Sequence, residues 1–127
     1  MPVDYEILDD LKLVIAKASG HLIGSEIASY QRNIWSGAKI FGYDEIFDLT
    51  EVQTFDYKSV SDVRELAQLA SSMDWASRSR KLALVANSDM AFGLARMYQA
   101  YRESDPSSRT EVQVFRNHDL ARQWLGR

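Results

Sequence analysis

The sequence predicts an α/β domain on a mixed five-stranded sheet, and three observations carry that prediction. Leu82 to Ala86 is an unbroken apolar run, the pattern of a strand buried on both faces of a sheet. Asn87-Ser88-Asp89 then supplies turn and helix-capping chemistry, and from Met90 onward the apolar residues recur at helical spacing. The same change of period recurs along the chain, giving the order β-β-α-β-α-β-α-β-α and a single domain over residues 1–127.

Each element has its own grounds. Tyr5 to Leu8 and Leu11 to Ala18 read as a hairpin around the polar turn Asp9-Asp10. Leu13-Val14-Ile15-Ala16 is apolar on both faces, which places the second strand inside the sheet. Gly20 to Gly24 reads as a loop. Ser25 is placed to cap the next helix, with Glu26 in its first turn, Ile27, Tyr30 and Ile34 toward the sheet, and Gly37 as the stop. Asp44 to Leu49 is the third strand, and Thr50 to Lys58 a polar and aromatic connection. Ser59 and Asp62 have capping-box spacing ahead of a helix with the buried stripe Val60, Val63, Leu66, Ala67, Ala70 and Met73. On the third helix the wheel buries Met90, Leu94, Met97 and Tyr101. Ser104 to Ser108 is a loop. Val112 and Val114 alternate with Glu111 and Gln113, as in a half-exposed edge strand. Asn117 caps a short last helix anchored by Leu120, Ala121, Trp124 and Leu125.

Composition narrows the function classes. Hydrophobic residues make up 46% and charged residues 26%, which suits a packed globular domain. A net charge of −3, with no basic stripe, argues against nucleic acid as a partner. No apolar run approaches the ~20 residues that cross a bilayer, and the acidic start MPVDYEILDD lacks the apolar core of a signal peptide. A cytoplasmic protein is expected. The absence of cysteine removes disulfides, thiol nucleophiles and thiolate metal sites together.

The segments LKLVIAKASGHL, FDLTEV, KLALVANSDMAFGLARMYQAY and VQVFRNHDLARQWL, in this order, resemble the SpoIIAA-like group of STAS-related proteins, small bacterial domains similar to the antagonists of anti-sigma factors. The resemblance covers nearly the whole chain and implies a five-stranded mixed sheet with strands largely in chain order. It further implies a non-catalytic regulatory module that binds a protein partner. The antagonists carry an Asp-Ser or Asp-Ser-Ser-Gly element at the start of the second helix, whose serine is phosphorylated to switch partner binding. The matching stretch here is Asp56-Tyr57-Lys58-Ser59. The aspartate is present, but tyrosine and lysine occupy the acceptor positions and no glycine follows. Ser59 is explained as a helix cap, so the usual phosphoserine switch is not expected.

In parallel α/β domains functional groups gather beyond the carboxyl ends of strands. Those loops hold His21, Glu51, Asp56, Asn87, Ser88, Asp89, Asn117 and His118. With strands in chain order, the second and fifth lie three spacings apart, roughly 14 Å at about 4.8 Å each. His21 and His118 would then share neither a metal nor a proton, and the asparagines and serine serve as helix caps. No phosphate-binding glycine motif is present. No catalytic constellation, metal or cofactor is expected; an enzyme with His21 or His118 as base is the weakest reading.

One surface stands out. Phe92 falls at the centre of the polar side of the third helix, beside Arg96, Gln99 and Glu103. An exposed aromatic ringed by polar groups is what a protein contact offers. Phe92, Arg96 and Gln99, or the Asp56 to Ser59 segment, are therefore the predicted contact residues, with a homodimer as the expected assembly and any other protein partner unknown. The competing reading is a lipid or small apolar ligand held between helices and sheet, among Tyr30, Trp35, Tyr98 and Trp124, should facing residues leave space unfilled.

Overall fold

The computed structural model describes residues 3–36, 38–76 and 80–127, apart from the side chains of 38, 57–62, 75 and 76. The strands are β1 (Val3–Leu8), β2 (Leu13–Leu22), β3 (Asp44–Phe55), β4 (Arg80–Val85) and β5 (Thr110–Phe115), joined by α1 (Gly24–Trp35), α2 (Tyr57–Ser72), α3 (Asp89–Ser104) and α4 (His118–Leu125). They form one five-stranded sheet in the order β1-β2-β3-β4-β5. β1 pairs antiparallel with β2, and every later pair is parallel. Chain order is therefore sheet order, as the sequence predicts.

Both central strands run further than their apolar cores. β2 continues through the residues read as a loop to Leu22, and β3 through Thr50–Phe55, paired with β2 as far as Leu22↔Phe55. Two register shifts, between Lys17 and Ser19 and between Gly20 and His21, interrupt the ladder there. Gly20 sits at one of them with φ 70, a backbone glycine adopts without strain. These interruptions break the alternation that would have marked a strand.

The two faces are covered unequally. Ala16, Ala18, Leu22, Phe47, Leu82, Leu84 and Val112 pack against Tyr30 of α1 and Ala91 and Ala95 of α3. Leu13, Ile46, Ala83 and Val85, on the other face, pack against Ala121 and Leu125 of α4. Asn117 caps α4 by accepting from the Leu120 N–H, and Gly126 closes it in the left-handed conformation at φ 72. α1 starts at Gly24 without a side-chain cap, so Ser25 is not its N-cap. Leu120 is exposed, leaving Ala121, Trp124 and Leu125 as that helix's anchors. No helix among the described residues is long and apolar enough to cross a membrane.

α3 is rotated from the wheel reading. Its buried residues are Ala91, Ala95 and Arg102, whereas Met90 is 63% exposed and Tyr101 lies at the surface. Two alanines bring the helix close to the sheet, and Arg102 turns inward because a buried carboxylate waits for it.

Candidate functional site

α2 is the helix that stands off from the strands. Its buried Val63, Leu66 and Ala70 face Leu82 and Leu84 across a cavity of about 90 Å³. Most of the wall is apolar, but Tyr30, Gln31, Glu45, Asp74, Arg80 and Tyr98 also line it.

Strand parity brings Glu45 there. Asp44, Ile46 and Asp48 point to the α4 face, so Glu45 and Phe47 point to the helices. Glu45 is buried, and the Tyr30 hydroxyl donates to its Oε2 at 2.6 Å. Trp35 Nε1 donates to Tyr30 Oη at 3.1 Å. Arg80 Nη1 donates to Glu45 Oε1 at 3.3 Å, and its guanidinium lies 4.0 Å from the centre of the Trp35 ring. Burial, together with the neighbouring Glu45 charge, pushes the Tyr30 hydroxyl well above its ordinary pKa, so it remains a donor.

A second buried pair adjoins the cavity. Arg102 donates through Nη2 to Asp74 Oδ2 at 2.7 Å, through Nη1 to Tyr98 Oη at 2.8 Å and through Nε to Ser108 Oγ at 3.1 Å. Asp74 also accepts from the Arg109 N–H at 2.8 Å and from the Thr110 hydroxyl. Between the two pairs stands Gln31, whose Nε2 lies 3.4 Å from Tyr98 Oη and whose buried Oε1 has no hydrogen-bond partner.

The α4 face carries different chemistry. His118, the first residue of α4, places Nε2 2.7 Å from Oδ2 of the buried Asp48. Burial favours the neutral acid of Asp48, but bonds from the Thr50 side chain, the Thr50 N–H and His118 outweigh it and hold the carboxyl below its ordinary range. His21 Nδ1 pairs instead with Thr54 Oγ1 at 2.7 Å, and Lys17 with Glu51. The histidines thus belong to separate contacts, and the described residues contain no group of three or more His, Cys, Asp and Glu that could hold a metal. The His118–Asp48 bond pins the start of α4 to β3.

The predicted contact residues do not form one exposed patch. Phe92 is half-buried against the core, with the Arg116 guanidinium 4.0 Å over its ring, because α3 is rotated toward the sheet. Gln99 donates to the Val112 carbonyl at 2.8 Å, tying α3 to β5. Arg96 alone of these three is exposed. Asp56 is half-buried, and its N–H donates to the Leu22 carbonyl. The side chains of Tyr57, Lys58 and Ser59 lie outside the described residues; their backbone forms the first turn of α2, so Asp56, not Ser59, precedes the helix.

Exposed apolar side chains gather elsewhere. Tyr5 (51% exposed) and Ile7 lie on β1, Leu11 follows in the turn, and Phe41 (47%) precedes Tyr43, whose hydroxyl donates to Asp9 of that turn. β1 is an edge strand, with Asp4 and Glu6 on the opposite face from Tyr5 and Ile7.

No family model matches the sequence, and no curated protein matches it either. Solved structures do match. An uncharacterised protein of the DUF3478 family from Shewanella loihica PV-4, with a SpoIIAA-like fold, aligns at 16% identity and a TM-score of 0.60, over 97% of this chain and 91% of that one. The fold is SpoIIAA-like. The strands in chain order, the opening antiparallel pair and the four helices are this chain's version of it.

Proposed function

We propose that this chain is a non-catalytic, cytoplasmic regulatory module of STAS type that binds its protein partner as an added strand on the free edge of β1. The exposed apolar group on that edge carries the reading. Among the described residues β1 pairs with β2 and no other strand, so its outward N–H and C=O groups can pair with an incoming strand. Tyr5 and Ile7 offer one face of that strand apolar contact, and Asp4 and Glu6 offer the other face negative charge.

Charge selects the occupant. Two copies related by a two-fold axis must place residues of like parity opposite each other across the β1 edges. The two registers with the longest overlap set carboxylates face to face, Asp4 against Glu6 in one and Glu6 against itself in the other, and like charges directly opposite destabilise a pair. The edge therefore suits a strand alternating basic and apolar residues better than a second copy of itself.

A synthetic peptide alternating lysine and valine, titrated into the labelled protein, tests this. Saturable shifts confined to residues 3–8, abolished by Glu6→Lys with the fold retained, are the expected result. Sedimentation showing a dimer dissociated by Tyr5→Lys would replace the hetero-strand reading with self-association. No saturable shift on β1 removes the edge from the function.

A further inference from the structure

We infer that the outer edge of β5 is built to pair with a second copy of this chain and that Gln99 latches it shut. β1 and β5 are the two outer strands of the sheet, so this surface is separate from the β1 edge.

Among the described residues β5 pairs with β4 and no other strand. Along an extended strand, the N–H and C=O groups of successive residues point to alternate edges. The Phe115 carbonyl accepts from the Ala86 N–H at 2.9 Å, so the odd-numbered residues of β5 turn their backbone toward β4. Thr110, Val112 and Val114 therefore turn theirs outward. Gln99 Nε2 of α3 donates to the Val112 carbonyl at 2.8 Å, occupying an acceptor in the middle of that open row. Open sheet edges invite further strands, and covering them holds such pairing in check.

Self-pairing suits this strand as it does not suit β1. A two-fold axis sets residues of like parity opposite each other, and the two registers with the longest overlap are centred on Val112 and on Gln113. Glu111 is the one charged residue of β5, and it meets Gln113 in the first register and Phe115 in the second. Like charges therefore oppose each other in neither. Val112 faces Val112 in the first and Val114 in the second, and in both its carbonyl must accept from the incoming strand. The newcomer has to displace the Gln99 amide or share its acceptor, which costs the new pair part of a hydrogen bond in each copy. One side chain thus acts on both registers.

The test is sedimentation of the wild-type protein beside Gln99→Leu, which keeps the bulk of the side chain and removes its donor. The variant should dimerise about tenfold more tightly than wild type. Hydrogen exchange then locates the contact: the outward-facing Val112 and Val114 amides should gain protection in the variant as its concentration rises. Equal association of wild type and Gln99→Leu overturns the inference. A variant dimer that leaves those two amides unprotected does so too, as does one that Tyr5→Lys dissociates, since that dimer would be using β1. Should Gln99→Leu fail to fold, Gln99→Ala takes its place with the same outcomes.

Discussion

Arg80 and Arg102 are both buried beneath the helices, and each faces a carboxylate, but their surroundings differ. Arg102 meets Asp74 at 2.7 Å within a network that includes Tyr98, Ser108, the Arg109 N–H and Thr110. Arg80 meets Glu45 at 3.3 Å beside an unfilled cavity, its guanidinium resting on an indole. Burying an ion pair is repaid only when the remaining donors and lone pairs are also met. The Asp74 network joins the α2 end, α3 and the start of β5, so it holds the domain together. Asp74 and Tyr98 line the same cavity, but the Glu45 pair is longer and is tied down by fewer bonds, so it is the pair with freedom to adjust there. Two pairs of one chemical type thus serve rigidity in one place and adaptability in the other.

That contrast can be broken by substitution. Arg102→Met should cost the most, about 3–5 kcal/mol in urea denaturation, because Asp74 is left buried without its counter-charge. Arg80→Met should cost less, about 1–3 kcal/mol, since Tyr30 still donates to Glu45 and the cavity can admit water. Equal losses would show that the two pairs are equivalent and that the cavity brings no adaptability.

The α4 face provides a smaller, pH-dependent effect. The Asp48 carboxyl is held below its ordinary value in the folded protein. Its contribution is therefore complete above the unfolded-state pKa of about 3.9, and is lost as pH falls through the depressed folded value. Denaturation midpoints measured from neutral pH downward should fall less steeply in Asp48→Asn than in wild type; parallel curves would mean that the Thr50 and His118 bonds do not favour the ionised form. Smallest of all, Arg116→Ala should cost about 0.5 kcal/mol, the worth of an exposed cation–aromatic contact over Phe92. A loss comparable with that of Arg80→Met would make Arg116 part of the core.

The sequence reading succeeded where hydrophobic period is strong and failed where polar residues are buried. Leu82 to Ala86, the alternation at Val112 and Val114, and the Ser88 and Asn117 caps all emerge as read. α3 was misoriented because its contact stripe is small and charged, Ala91, Ala95 and Arg102, whereas the wheel weights Met90 and Tyr101 by size. The cavity residues were partly visible. Of Tyr30, Trp35, Tyr98 and Trp124, the aromatic residues able to frame a pocket, the first three line it, whereas Trp124 packs on the α4 face beside Phe115. Glu45 and Arg80 give only a faint signal, as charges beside apolar runs, because such charges are usually solvated and their pairing at a sequence separation of 35 belongs to the tertiary fold. Phe92 and Gln99 are half-buried for the same reason that α3 is turned from the wheel reading, while Arg96 remains exposed.

Because neighbours in the sheet are also neighbours in the chain, the strands can be laid down one after another as synthesis proceeds. The far face, however, receives its cover from α4, which follows all five strands in the chain. Until α4 is made, Leu13, Ile46, Ala83 and Val85 have no lid, and the growing chain presents a sticky apolar surface to its neighbours. Loss of those eight residues would therefore harm solubility far out of proportion to the length removed.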